Sequence, residues 1–382
     1  MDFVFQDEIK ELMLRRSDYC VSVYLPTHRA GREIEQDPIR LDNLLRSAEK
    51  GLLAGGMRST EARDLLGPAF DLMKDGFFNR TLADGLGIYI SRGLFKYFRL
   101  PIHFNDQIFV GRQFYLKPLL PILNCCRRFY ILGVSRKSVR LLECTEFGVN
   151  EIELKDVPRG MREALGYEEE RSLLFRSVPR VSGPGGGTVF HGRSGGVAPE
   201  KENIWHYFQV LKASLHPYLG NENVPLVFAG VDYLFPMFRL VDVYRNTLNE
   251  TIEGNPDTLD FQELVKRGRQ IVSPYFQKEQ QHAIERYRDL LKGSLTSDRV
   301  EKVVAGAIAG RVDTLFVDTE ARKWGSYDSG SGLVEVHAEQ QDGDEDLLDL
   351  AFVQTYLNGG NVYALDPEKM PGTSGAAAIF RY

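Results

Sequence analysis

Cysteine is scarce in this sequence of 382 residues, which holds four, Cys20, Cys125, Cys126 and Cys144. None of them forms a C-x-x-C pair, and adjacent cysteines pack a strand more often than they bind zinc. The pattern therefore disfavours a zinc site and a disulfide framework. A reducing cytoplasm fits such a chain best.

Long apolar runs are also missing. The longest, such as residues 224–231, have the length of a strand and fall far short of the roughly 20 residues that a membrane span needs. Residues 1–8 lack a basic region followed by an apolar core, so no signal peptide is expected. We therefore expect a cytoplasmic location and no membrane partner.

The signatures of common catalytic and cofactor sites are absent as well. No Gly-Lys-Ser/Thr ending follows the glycines, and neither glycine frame beginning at Gly183 or Gly185 gives a dinucleotide fingerprint. No H-E-x-x-H or G-x-S-x-G motif occurs, and the seven histidines show no ligand spacing. We therefore predict no catalytic residue, no cofactor and no metal.

Positive charge is concentrated locally, although the net charge of −6 argues against general affinity for nucleic acid. The first basic stretch holds the candidates for RNA contact, Arg127, Arg128, Arg136, Lys137 and Arg140. A second stretch runs through Arg159, Arg162, Arg171, Arg176 and Arg180. The alternative is that these residues form solvated faces without a function.

The order of predicted elements indicates a mixed α/β chain of three domains, at residues 1–122, 123–257 and 258–382. In the first, Asp37 is predicted to cap a helix that Pro38 begins, and the proline-rich residues 117–121 are predicted to form a linker. The second opens with strands at 129–134, 139–144 and 149–154. The third alternates helices with strands, which predicts an α/β/α sandwich.

Residues 182–196 contain seven glycines in fifteen positions. Such a segment cannot form a core, but its backbone can adopt unusual dihedral angles and approach a partner closely. A helix follows it from about Pro199, with an apolar stripe of Ile204, Tyr207, Phe208, Leu211, Leu215 and Tyr218 that is expected to be core. The segment is predicted to be a projecting functional tip, with a plain flexible loop as the alternative.

The end of this segment carries a resemblance to a known family. Its residues are His191, Gly192, Arg193, Ser194, Gly195, Gly196 and Val197. Followed by a long helix and the strand 225–230, they resemble the central domain of class-one release factors and Pelota. Residues 21–26, 84–89 and 370–382 resemble the outer domains, in the right order. Together they resemble the bacterial group of archaeo-eukaryotic release-factor-like proteins, which includes the hibernation factor Balon.

The resemblance implies a role for each domain. The N-terminal domain would face the decoding centre, and a central RNase H-like domain would face the peptidyl-transferase centre. An L7Ae-like third domain would contact a translational GTPase. Residues 191–197 and the basic candidates would then contact ribosomal RNA or tRNA, where lysine and arginine supply sequence-independent affinity.

Two departures from the family pattern refine the expected function. The tip of a release factor ends in Gly-Gly-Gln, but Val197 follows Gly195-Gly196 here, and residues 37–40 replace the codon-reading motif. The sequence therefore predicts an A-site-binding protein of ribosome hibernation or rescue, without peptidyl-tRNA hydrolysis. Two alternatives stay open: a peptidyl-tRNA hydrolase with a variant loop, and an RNA-binding scaffold protein.

Overall fold

A computed structural model describes residues 2–28, 32–74, 84–125, 128–145, 149–166, 197–220, 224–341 and 343–382. The chain divides into two compact units. The terminal unit comprises residues 3–126 and 279–382, and the central unit comprises residues 127–278 with residues 1–2. The predicted mixed α/β class is confirmed.

Ten α-helices lie within the described ranges. They are α1 Asp2–Leu14, α2 Asp37–Ala54, α3 Ser59–Lys74, α4 Leu120–Cys125, α5 Met161–Ala164, α6 Val197–Leu219, α7 Phe235–Val241, α8 Phe261–Asp289, α9 Val300–Ile308 and α10 Leu347–Leu357. The helix predicted from about Pro199 thus begins two residues earlier, at Val197.

Sixteen strands accompany them in the same ranges. They are β1 Arg16–Pro26, β2 Gly85–Ser91, β3 Leu94–Leu100, β4 Gln107–Gln113, β5 Phe129–Val134, β6 Val139–Cys144, β7 Val149–Ile152, β8 Leu226–Gly230, β9 Thr247–Glu253, β10 Thr296–Ser297, β11 Val312–Asp318, β12 Trp324–Tyr327, β13 Val334–His337, β14 Glu345–Asp346, β15 Asn361–Leu365 and β16 Ala376–Phe380.

The central unit is built on a five-stranded sheet of order β7-β6-β5-β8-β9. Its first three strands form the predicted antiparallel meander, and β8 runs parallel to both β5 and β9. Because side chains alternate along a strand, β5 serves two cores. Tyr130, Leu132 and Val134 pack with α6 and α7, whereas Phe129 and Ile131 pack with Leu264 and Val265 of α8 and their neighbours.

The apolar stripe of α6 is core, as predicted, except that Tyr218 is only partly buried. Ile204, Tyr207, Phe208, Leu211 and Leu215 are at most 3% exposed and pack against the strands. Coverage on both faces also explains the continuous apolar sequence of β8, which is buried at every position. The stripe therefore fixes α6, and with it the point where the chain re-enters the fold after the glycine-rich segment.

The terminal unit contains an antiparallel sheet of order β3-β2-β1-β4. One face packs against α2 and α3, with Leu41, Leu45 and Leu66 among the buried side chains. The other face carries buried aromatic residues, in which the Tyr89 hydroxyl donates to the Tyr24 hydroxyl at 2.9 Å. All four strands of this sheet lie within residues 1–122.

A second sheet of the terminal unit has the order β10-β16-β11-β15. The C-terminal part of α8, through Tyr287, packs on one face with Phe316, Tyr363 and Ile379. Helix α9 contacts β11 and β16, and helix α10 contacts β11 and β15. Most residues of α10 are buried. Helices α8, α9 and α10 therefore pack around this sheet.

Two local predictions are corrected by the structure. Residues 117–121 are not a linker: a 3₁₀ turn at Lys117–Leu119 leads directly into α4, and Leu119, Leu120 and Ile122 are buried. The reason is that these apolar residues face the core of the terminal unit. Asp37 does not cap α2 either, because its buried carboxylate accepts hydrogen bonds from the backbone N–H and ring Nδ1 of His28.

Candidate nucleic-acid interface

The basic residues predicted to contact RNA fall into two structural groups in the central unit. Arg128 precedes β5 and lies 3.0 Å from the Glu143 carboxylate, which is 6% exposed. Arg140 on β6 makes two hydrogen bonds to Glu151, at 2.8 and 3.2 Å. That bidentate contact raises the pKa of Arg140. Both of these guanidinium groups are thus held by carboxylates of their own sheet.

Arg136 and Lys137 form the other group, in the turn between β5 and β6. The Ser135 hydroxyl oxygen accepts hydrogen bonds from the backbone N–H groups of Lys137 and Ser138, each at 2.9 Å. The buried Tyr207 hydroxyl of α6 donates to the Ser135 carbonyl oxygen at 3.1 Å. The turn is therefore fixed from both sides, while the side chains of Arg136 and Lys137 are exposed.

The beginning of the second basic stretch packs directly onto this turn, whereas its Arg171, Arg176 and Arg180 lie outside the described residues. The Met161 N–H donates to the Arg136 carbonyl oxygen at 3.0 Å. Gly160 lies so close that a Cβ there would stand 2.6 Å from the Lys137 carbonyl carbon, which only glycine avoids. The flanking Arg159 and Arg162 are exposed. We name the set Arg136, Lys137, Arg159 and Arg162 the basic ridge.

An aromatic side chain adjoins the basic ridge. The Arg136 Nε donates to the Tyr233 hydroxyl at 3.0 Å, and the guanidinium carbon lies 5.7 Å from the ring centroid. Tyr233 is 49% exposed, in the segment between β8 and α7. Sequence reasoning missed Tyr233, because it lies 97 positions from Arg136 in the chain.

Three carboxylates border the basic ridge. Glu163 accepts a 2.8 Å hydrogen bond from the Arg159 backbone N–H, and Asp257 accepts one from the Ser138 hydroxyl. Asp232 is exposed beside Tyr233. The Lys137 ammonium forms no ion pair with any carboxylate that the structure describes. The excess of positive charge is therefore confined to the ridge. It suits contacts with a few phosphate groups better than long-range attraction of nucleic acid.

Most residues of the predicted tip lie outside the part of the chain that the structure describes. Arg127 and the residues His191, Gly192, Arg193, Ser194, Gly195 and Gly196 lie outside the described residues, and Val197 is the first residue of α6. The chain leaves the ridge at Gly166, four residues after Arg162, and returns at Val197. The ridge therefore flanks the glycine-rich segment in the chain.

The part of the chain that the structure describes holds one further cleft of interest. A cleft of about 530 Å³ in the terminal unit is lined by Asp18, Glu61, Asp64 and Arg92 above apolar side chains. Its excess of carboxylates makes it a poor phosphate site. Within the described ranges, no three His, Cys, Asp or Glu side chains are grouped to hold a metal, and no helix is long and apolar enough to cross a membrane.

Residues 129–274 match the model of bacterial archaeo-eukaryotic release factor family 7. This range contains the whole basic ridge, Tyr233 and the glycine-rich segment. The match confirms the predicted resemblance to the bacterial archaeo-eukaryotic release-factor-like family.

Solved structures show a more general likeness. A ribosome-bound archaeal Pelota, determined with ABCE1, is 13% identical over 99% of this chain and 94% of its own, with a TM-score of 0.41. The archaeal termination factor aRF1 is 15% identical over 100% of this chain and 98% of its own, with a TM-score of 0.24. Archaeoglobus fulgidus Pelota is 15% identical over 78% of this chain and 79% of its own, with a TM-score of 0.29. No function follows from such values, and no curated protein matches the chain.

Proposed function

We propose that this chain is a cytoplasmic, release-factor-like protein that binds the ribosomal A site and acts in ribosome hibernation or rescue. The observation that carries the proposal is the family match over residues 129–274. Two features within that range support it: the fixed, exposed cations of the basic ridge and the glycine-rich sequence at 182–196. Cations of this kind provide affinity for ribosomal RNA or tRNA whatever its sequence.

The three predicted domains are part of this proposal. Residues 1–122 would face the decoding centre, residues 123–257 would form an RNase H-like domain directed to the peptidyl-transferase centre, and residues 258–382 would form an L7Ae-like domain. A translational GTPase is the proposed partner of the last. The layered sheet near the C-terminus is compatible with that assignment.

The proposal excludes peptidyl-tRNA hydrolysis, on the chemistry of Val197. Hydrolysis needs a water held beside the ester and donors for the developing oxyanion. The Val197 backbone N–H is a donor, but its side chain is stiff, apolar and unable to hydrogen bond to a water. The tip would therefore dock in the peptidyl-transferase centre without positioning a nucleophile.

Co-sedimentation with ribosomes tests the binding. We expect the full chain to pellet with ribosomes from cold-stressed or stationary cells, and a chain with residues 182–196 replaced by a short Ser-Gly linker to pellet less. A chain whose exposed Lys266 is changed to Gln, on α8 at the opposite face of the central sheet, serves as the matched control. Absence of the unaltered chain from every ribosome pellet would overturn the proposal.

Peptide release separates binding from hydrolysis. Ribosomes carrying a labelled peptidyl-tRNA should retain the label in the presence of the chain. Release above background that is lost in the linker variant would replace the proposal by the hydrolase alternative. The variant Val197→Gln, which restores the glutamine at that position, serves as the control for whether this one side chain limits the chemistry.

A further inference from the structure

We propose that the basic ridge and Tyr233 form a binding site for single-stranded RNA, in which the four cations contact phosphates and the Tyr233 ring stacks on an unpaired base. The inference rests on the proposed function in one respect, since the RNA expected there is ribosomal RNA or tRNA. It adds a defined contact surface made of residues other than 182–196.

Tyr233 has the properties of a stacking platform. Arg136 holds the ring through the 3.0 Å hydrogen bond from its Nε to the hydroxyl, and its guanidinium carbon lies 5.7 Å from the ring centroid. About half of the side chain nevertheless remains exposed. A tyrosine that is fixed in orientation yet open to solvent loses little side-chain entropy when a base stacks on it. The adjacent guanidinium adds cation–π attraction.

The four cations are held in fixed positions by their backbones. The contact of Gly160 with Lys137 and the hydrogen bond from Met161 to Arg136 fasten two segments that are 22 or more residues apart. Three arginines and a lysine on backbone segments fixed in this way present their charges without ordering a loop first, which lowers the cost of binding. Phosphates spaced along a strand are the matching ligand.

The combination of charge and ring selects RNA over an acidic peptide. A peptide carboxylate would use the cations but leave the Tyr233 ring unengaged. A duplex would offer phosphates but keep its bases stacked on each other. Only a strand with an unpaired base satisfies both parts of the surface, and every base has a π-face, so little sequence preference is expected.

Fluorescence anisotropy with the full chain tests the inference. The probes are a labelled unstructured RNA of about 20 nucleotides, which exceeds the site size of one stacking domain, and a duplex of the same composition. Tyr233→Leu should weaken binding of the single strand about fivefold or more, whereas Tyr233→Phe should keep most of it. Lys137→Gln with Arg159→Gln should lower the salt slope by about 1.4, at about 0.7 for each lost cation.

The controls and the ribosome assay separate the possible results. Lys266→Gln should leave the affinity for RNA unchanged. Equal affinity for strand and duplex, or Tyr233→Leu and the double variant both matching Lys266→Gln, would overturn the inference. If the ridge variants lose RNA but the chain never pellets with ribosomes, the proposed function fails and the RNA site stands. If the ridge variants pellet normally and bind RNA normally, the RNA site fails and the proposed function stands.

Discussion

The backbone N–H of Leu116 donates a 2.8 Å hydrogen bond to Oδ1 of Asp349. The N–H of Lys117 donates to the same oxygen, and the carboxyl is buried. Asp349 thereby fastens the segment after β4 to α10 within the terminal unit. Burial, reinforced by the nearby charge of Asp346, raises the pKa of Asp349 to about 8, against the lowering effect of the two N–H donors and Lys117.

This raised pKa predicts how the stability of the fold depends on pH. Because the folded-state pKa is above the ordinary 3.8, the stabilisation from the protonated carboxyl is complete below about pH 4 and is lost as the pH rises toward 8. Asp349→Asn keeps an oxygen acceptor and does not titrate. The free energy of unfolding of the unaltered chain, relative to Asp349→Asn, should fall across this window by at most about 1.4 kcal/mol per pH unit.

Urea denaturation of both chains at several pH values measures the difference. A difference that stays constant between about pH 4 and 8, or that grows with pH, would contradict the assignment. Asp349→Leu tests the hydrogen bonds themselves, because it leaves two buried N–H donors without their acceptor. Relative to Asp349→Asn, which does not titrate either, we expect a loss of about 2–4 kcal/mol at every pH.

The buried ion pair of Lys117 and Asp346 predicts a second effect on stability. Their charged atoms lie 2.9 Å apart, each side chain is 1% exposed, and the ammonium also donates to the Ala321 carbonyl oxygen. Lys117→Met leaves a buried carboxylate without its cation, so the free energy of unfolding should fall by about 3–5 kcal/mol.

A double variant provides the control for the charge explanation. Asp346 also accepts from the Leu348 N–H at the start of α10, a role that asparagine can keep. In the Lys117→Met background, Asp346→Asn should therefore recover much of the lost stability in urea denaturation. A double variant no more stable than Lys117→Met would show that the loss of stability comes from lost packing and not from the unpaired carboxylate of Asp346.

Two residues of α7 provide a matched test of the central core. Phe238 is 1% exposed and its ring centroid lies 4.8 Å from that of Phe228, whereas Leu240 is 70% exposed. Phe238→Ala should cost about 3–5 kcal/mol because it opens a cavity beneath α6. Leu240→Ala should change the free energy of unfolding by about 0.5 kcal/mol or less. Similar denaturation midpoints for the two variants would contradict the packing described.

The buried cysteines should resist alkylation in the folded chain. Burial raises the pKa of Cys20 to about 11 and that of Cys144 to about 12, so both remain thiols at neutral pH. Iodoacetamide labelling followed by peptide mass spectrometry should modify neither in native buffer and both in urea. Rapid native labelling of either one would show that its part of the fold opens.

Local sequence patterns predict helices and strands well where the spacing of apolar residues alone shows which face of the element is buried. The α6 stripe was identified from the spacing of its apolar residues, and β8 from its short continuous apolar run. Both succeed because burial on a helix face or between two layers leaves a signal along the chain itself.

The failures come from partners that are distant in sequence. Lys117 was placed in a linker because its buried partner, Asp346, is 229 positions away. Asp37 was interpreted as a cap because spacing cannot show that His28 binds its carboxylate. The basic candidates were equivalent in sequence, and only the fold pairs Arg128 and Arg140 with carboxylates while placing Arg136 beside Tyr233.

The hydrogen bond from Tyr207 to Ser135 sets a spacing within the central unit. Ten residues of helix separate Val197 from Tyr207, which is about 15 Å at 1.5 Å per residue. The turn that carries Arg136 is therefore kept at a constant distance from the point where the glycine-rich segment ends. Helix α6 fixes this distance. A partner bound to the basic ridge would therefore lie at one defined distance from Val197, where the glycine-rich segment ends.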